Sequence, residues 1–204
     1  MRETKSEIIF EKLKTEIINQ EISLNELIDE QIISDKYGVS RTPIREALNK
    51  LVQHGYLIKY PRRGYIVKEL KLNEYYEIVQ LRYVLESGNI NIIIKSCTDE
   101  QINTLHQFIQ DKFVPYEEYN TINKRFHMEV AALTGNSYLC NSLENVFELS
   151  YRKLSMEYYN SVKGDMHKNH RILIQMMLDR DIAGAVAILR EELKRTEDNN
   201  VVWF

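Results

Sequence analysis

Residues Ser40-Arg41-Thr42-Pro43-Ile44-Arg45-Glu46-Ala47-Leu48 read as a helix that begins abruptly and has two distinct faces. Ser40 stands where a hydroxyl can cap free backbone N–H groups, and Pro43 falls in the first turn, where a missing donor costs nothing. Arg41 and Arg45 are four residues apart and share one face. Ile44, Leu48 and Leu51 supply an apolar underside. A short helix with Arg and Thr on its exposed first turns and a buried back suits the B-DNA major groove.

The flanking chain supports that reading. Ile8, Ile9, Leu13, Ile17 and Ile18 recur at helical spacing and predict a helix over 4–20. Glu21 to Asn25 is a turn, in which Ser23 or Asn25 would cap a second helix over 26–36 that buries Leu27, Ile28, Ile32 and Ile33. Tyr37-Gly38-Val39 makes a tight turn, with Gly38 suited to a helix C-terminal cap. The third helix runs from Arg41 to Gln53 and stops near Gly55. The period then changes. Residues 56–60 and 65–68 are β-rich runs around Pro61-Arg62-Arg63-Gly64, a basic hairpin tip that can approach a phosphate or the minor groove. Three helices and a hairpin predict a winged helix-turn-helix.

Charge is distributed to match. Residues 36–68 hold eight Lys or Arg against the single acid Glu46, whereas residues 69–204 hold fifteen basic and twenty acidic residues. A basic segment beside an acidic remainder suggests a small polyanion-binding module on a body that avoids polyanions. After a linker over 69–73, helices are expected near 72–95, 98–111, 116–134, 137–158, 162–179 and 181–198, with Thr98-Asp99-Glu100-Gln101 a capping box. With 7 Gly, 3 Pro, 44% hydrophobic and 28% charged residues, the chain favours packed helices joined by short loops. The expected fold class is mostly α: an N-terminal winged helix-turn-helix followed by an all-α six-helix bundle. Cys97 and Cys140 lack CxxC spacing and read as reduced thiols. No signal peptide or 18-residue apolar span is evident, so a cytoplasmic protein without membrane contact is expected.

Residues 4–68 resemble the GntR-type winged helix, and Val39 to Leu48 follows that family's signature almost letter for letter. Pro61-Arg62-Arg63-Gly64 looks like its wing tip. The remainder resembles the FadR-like effector domain of the FCD type. Gln80-Leu81-Arg82-Tyr83-Val84-Leu85-Glu86 is similar to that domain's E-x-R-x-x-L-E, with Gln80 in place of the first Glu. The family's usual Pro-Gly before the second helix is Ser23-Leu24 here. The resemblance implies a DNA-binding domain over 1–68, a linker over 69–73, and an effector-binding and dimerisation domain over 74–204.

The resemblance also implies sites. Family members that bind metal carry an Asp and a His four apart on one helix, where this chain has Asn123 and His127. A second family His aligns with His170, and a third falls on Glu192. Two nitrogens, an amide oxygen and a carboxylate suit a divalent ion such as Zn²⁺, Ni²⁺ or Mn²⁺. The other reading is that metal has been lost and Asn123, His127 and His170 contact an effector directly. His167 is a substitute ligand if its helix is rotated, whereas His54 and His106 read as surface residues. Arg82 either faces the cavity as a carboxylate fork or pairs with a bundle Glu.

The combined expectation is a ligand-responsive transcriptional regulator, not an enzyme. A homodimer would set two recognition helices about 34 Å apart on a palindromic double-stranded operator. Ser40, Arg41, Thr42, Arg45, Arg63 and Gly64 would contact DNA, and a small organic acid would bind in the bundle. A metal-dependent bundle enzyme is the first rival, but the chain shows no paired Glu-x-x-His motifs, obvious general base or Ser/His/Asp pattern. A non-specific architectural DNA binder is the second, and it would be basic throughout.

Overall fold

The computed structural model describes residues 4–19, 21–24, 26–110, 114–161 and 167–193, with the backbone alone for 116–117 and 151–161. The chain divides into two compact units, one ending at Lys71 and one beginning at Leu72.

The first unit starts with α1 (Lys5–Ile18). Thr4 and Glu7 close a capping box, the Thr4 hydroxyl accepting from Glu7 N and Glu7 Oε2 accepting from Thr4 N at 2.8 Å. Ile9, Phe10, Leu13 and Ile17 form the buried face of α1, which packs on α3 (Arg41–Gln53), while Ile8 stays 41% exposed. Ile44, Ala47, Leu48 and Leu51 are the buried face of α3.

Ser40 occupies the N-cap position with extended backbone, yet its side chain makes no capping hydrogen bond. An N-cap oxygen accepts from the second or third helical N–H, and the third helical residue here is Pro43, which has none, so only the Thr42 N–H could serve.

The expected second helix over 26–36 is shorter than its periodicity suggests. Leu27–Ile28 form strand β1, and α2 is Glu30–Tyr37. Asp29, not Ser23, caps α2, accepting from Gln31 N at 2.7 Å and Ile32 N at 3.3 Å; Asn25 lies outside the described residues. Ile28 and Ile33 are buried as expected, but Leu27 is 51% and Ile32 65% exposed. Gly38 ends α2 in the left-handed conformation at φ 63°.

The hairpin is β2 (Leu57–Tyr60) and β3 (Gly64–Val67), with Leu57 opposite Val67 and Tyr60 opposite Gly64. Strand β1 adds antiparallel to the other edge of β3, giving the order β1-β3-β2. Gly64 begins β3 at φ 118°, where a Cβ would sit 2.6 Å from the Ile28 carbonyl oxygen. The glycine is therefore required by the β1–β3 approach as well as by its turn. Gly64→Ala should destabilise this unit by about 1–3 kcal/mol, because strained φ and a backbone clash act together. A melting temperature equal to the parent's would contradict this.

The second unit holds α4 (Leu72–Ser96), α5 (Asp99–Asn103), α6 (Tyr116–Ala132), α7 (Ser137–Ser161), α8 (Lys168–Leu178) and α9 (Ile182–Leu193). The Thr98–Gln101 capping box forms as predicted, but the helix it starts tightens into a 3-10 turn over Thr104–Phe108 and does not reach 111. The first residues expected for the eighth helix and the last expected for the ninth lie outside the described residues. Helix α4 packs against α7 and α9, α6 against α7, and α8 against α9. Ile90, Ile93, Phe126, Phe147, Ile174 and Leu189 are core residues. The buried face of α4 also carries Arg82, Glu86 and Asn89. Among the described residues, no helix is long and apolar enough to cross a membrane.

Candidate functional site

In the first unit, Ser40, Arg41, Thr42 and Arg45 are exposed at the start of α3, and Arg63 is exposed at the hairpin tip beside Gly64. A cleft of about 240 Å³ lies between them, lined by Glu30, Gln31, Arg41, Lys59, Arg63 and Gly64. Helix α2 supplies a partner to each arginine of α3. Arg41 Nε donates to Gln31 Oε1 at 2.6 Å. Arg45 donates from Nε to Glu30 Oε1 at 3.0 Å and from Nη2 to Glu30 Oε2 at 2.8 Å. The Arg45 hydrogen bond holds the Glu30 carboxyl below the usual carboxylate range against the opposing effect of burial. Neither Glu30 nor Gln31 stood out in the sequence, because nothing local says that the head of α2 meets the first turns of α3.

In the second unit, three helices bring His127 of α6, His170 of α8 and Glu192 of α9 together. One donor atom from each lies within 4.8 Å of the others, and all three residues are buried. His127 Nε2 is 3.0 Å from Glu192 Oε1, and His170 Nε2 is 3.5 Å from the same oxygen. Asn123 lies one turn before His127 on α6 and is fully buried. His167 is also buried, but its Nδ1 faces His170 Nδ1 at 3.3 Å, on the other side of the His170 ring from Glu192. The Phe126 ring stacks on His170 with centroids 3.9 Å apart, which limits rotation of the imidazole. Outside this cluster, His54 is half-buried against Phe10, and His106 is exposed as expected.

Glu86 is the residue that sequence reasoning left without a role, although it closes the Gln80–Glu86 motif. Its Oε2 is 2.5 Å from His127 Nδ1, and its Oε1 accepts from Arg82 Nε at 2.5 Å. The Arg82 salt bridge to a bundle glutamate is thus the arrangement present. The guanidinium also lies 4.0 Å above the Phe147 ring, and Nη1 is 3.5 Å from Ser150 Oγ. Its buried Nη2 has no hydrogen-bond partner among the described residues.

These contacts set the charge states. Burial opposes ionisation of His127, but the carboxylates of Glu86 and Glu192 outweigh it and raise the imidazole pKa above its ordinary value. Burial likewise opposes the Glu86 carboxylate, but Arg82 and then His127 outweigh it and lower the pKa. In the neutral ring, Nδ1–H donates to Glu86 Oε2, and Nε2 then carries the lone pair that faces Glu192 and His170. A carboxylate behind a histidine is the usual support for a metal-ligating imidazole. Separations of 3.0 and 3.5 Å between donors fit neighbouring ligands of one small divalent ion.

The chain thus pairs a winged helix that exposes arginines on its third helix and hairpin tip with an all-helical unit that buries a polar cluster. The family model described as bacterial regulatory proteins, gntR family, matches residues 5–67, and that described as FCD domain matches residues 77–195. The chain belongs to the GntR family and carries its FCD domain. It is 28% identical to the Nta operon transcriptional regulator of Aminobacter aminovorans over 60% of this chain and 60% of that protein's length. It is 25% identical to the gluconate operon transcriptional repressor of Bacillus subtilis, over 92% of this chain and 81% of the relative. The structure of E. coli McbR/YncC shares the fold with TM-score 0.73, at 18% identity and 94% coverage of both chains. The first two of these relatives are named as regulators of transcription.

Proposed function

We propose that the protein is a homodimeric, cytoplasmic regulator that reads a palindromic operator and answers to a small carboxylate bound in its helical domain through a divalent metal. The observation that carries the effector half is the buried convergence of His127, His170 and Glu192, with Glu86 behind His127. His127, His170 and Glu192 would hold Zn²⁺, Ni²⁺ or Mn²⁺, with Asn123 completing the set from the same face of α6 as His127. Such an ion supplies a Lewis-acid anchor for a carboxylate oxygen. Arg82 adds a guanidinium whose Nη2 retains both N–H donors among the described residues. The relative named for the gluconate operon supports the same ligand class, since gluconate is a carboxylate.

The DNA-reading half rests on α3 and the hairpin. Arg41 and Arg45 would make base or phosphate contacts, Ser40 and Thr42 backbone contacts, and Arg63 with Gly64 the contacts of the wing. Effector binding would bias the DNA-binding state by preferring one conformation, since a ligand shifts an equilibrium only by its differential affinity.

The dimer reading is supported by α4. Leu81 is 48%, Val84 53% and Ile92 37% exposed, at spacings that form one stripe with Gly88. A Cβ at Gly88 would meet nothing within 4 Å, so another helix can approach there. A second copy of α4 fits this stripe by symmetry. Val84→Glu should weaken self-association by roughly 10–100-fold without unfolding the chain, as a charge at an apolar contact centre does. Sedimentation would show it, and an unchanged dimer would rule out α4.

The decisive experiment for the whole reading has two parts. One is elemental analysis of protein purified without chelators. The other is enrichment of a duplex from a random-sequence pool, with titration of gluconate against the complex. A metal-free protein whose melting temperature ignores added Zn²⁺, Ni²⁺ and Mn²⁺ would refute the metal. Failure to enrich any sequence would refute the operator.

A further inference from the structure

We propose that Glu30 is a positioning residue for Arg45, holding the guanidinium from the side so that its far end is aimed at a guanine edge. The inference rests on α3 being the operator-reading helix.

The geometry is that of a side-on pair. Arg45 Nε lies 3.0 Å from Glu30 Oε1, and Arg45 Nη2 lies 2.8 Å from Glu30 Oε2. These two bonds occupy the Nε–H and one Nη2–H. Among the described residues the two Nη1–H groups and the second Nη2–H have no hydrogen-bond partner, and they form the terminal fork that matches guanine O6 and N7. The carboxylate is set by its place on α2, and the single Tyr65 O–H is shared between it and Asn49. Glu30 is the first residue of α2, directly after the Asp29 cap. The hydroxyl of Tyr65, a buried residue of β3, lies 3.4 Å from Glu30 Oε1 and 3.2 Å from Asn49 Oδ1. An arginine of α3 and a tyrosine of the wing strand therefore both reach the carboxylate at the head of α2.

Exposure says what the pair is for. The Glu30 side chain is 22% exposed and that of Arg45 57%. An ion pair so open to solvent contributes little to folding. What it does supply is direction and charge balance. Arg41, one turn earlier, is held instead by the neutral Gln31. The two arginines thus differ: Arg41 keeps its full charge for general attraction to DNA, while Arg45 is neutralised and aimed.

The test uses the full chain, the duplex it enriches from a random pool, and unrelated duplex as competitor. Glu30→Gln keeps the shape and removes the charge. It should bind unrelated DNA more tightly, steepen the salt dependence by about one counterion, and lower the specific-to-competitor ratio roughly tenfold through a loosened bidentate contact. Glu30→Ala should do the same. Both should melt at the parent's temperature within a few degrees. In an Arg45→Ala background, Glu30→Gln should leave the ratio unchanged, because its effect passes through Arg45. An unchanged ratio in both Glu30 variants, or an equal fall without Arg45, would overturn the proposal while leaving α3 as the reader. A parent that enriches no sequence would overturn the operator reading and this inference with it.

Discussion

His127→Ala should be the most damaging single substitution in the helical domain, removing metal from the purified protein and costing about 3–5 kcal/mol of stability even without metal. The side chain sits between two buried carboxylates, with Nδ1 2.5 Å from Glu86 and Nε2 3.0 Å from Glu192. Truncation leaves both facing a cavity, so part of the loss has nothing to do with metal. His170→Ala separates the two effects. It removes a proposed ligand 3.5 Å from Glu192 but leaves the Glu86–His127–Glu192 contacts in place. Chelation should therefore lower the melting temperature of the parent but not of His170→Ala. An ion present at about a thousand times its Kd stabilises by about 4 kcal/mol, which is easily read in a melt.

The pH dependence follows from the same contacts. Without metal, His127 has a pKa raised above 6.5 in the folded protein. Its contribution is fully present below 6.5 and is lost as pH rises through the folded value. Glu86 has a folded pKa below 4.5, so its contribution is present above 4.5 and lost as pH falls through the folded value. The metal-free protein should be most stable between these limits. Metal requires neutral imidazole and takes over where the proton leaves. The gap between metal-bound and metal-free melting temperatures should widen as pH rises through the His127 range. Calorimetry in two buffers of different ionisation enthalpy should show proton release on Zn²⁺ binding. A gap independent of pH, with no proton released, would mean that His127 is not a ligand.

Arg45→Ala should weaken operator binding by about 1–3 kcal/mol, the worth of one bidentate base contact. The upper end is expected here. Removing the guanidinium also uncovers the Glu30 carboxylate, which then faces the DNA as a bare negative charge. Competition binding at fixed salt measures the change. An operator affinity equal to the parent's would show that α3 does not read bases through this residue. Because Arg45 is exposed and forms no part of the apolar core, the melting temperature should barely move.

Local chemistry was enough for much of this protein. The Thr98 capping box, the left-handed Gly38, the position of α3 and its buried face of Ile44, Leu48 and Leu51 all depend on residues within a few positions of one another. Such signals survive in any chain with those neighbours, which is why the winged helix and the helical remainder were legible as classes.

Other features needed distant partners. Leu27 and Ile28 carry helical spacing, but their backbone pairs with Tyr65 and Ile66, far along the chain, and a two-residue strand has no pattern of its own. Whether Gly64 serves DNA or the fold could not be asked before β1 was seen against it. His127, His170 and Glu192 were legible through the family resemblance, but not the carboxylate behind His127. Glu86 reaches His127 because the buried face of α4 meets α6 at a particular rotation, and Glu30 reaches Arg45 because α2 crosses the start of α3. Residue types and helix faces are written in the nearest neighbours. Which two charges meet is decided by how the helices pack, since a small rotation of a helix moves a side-chain tip by more than the length of a hydrogen bond.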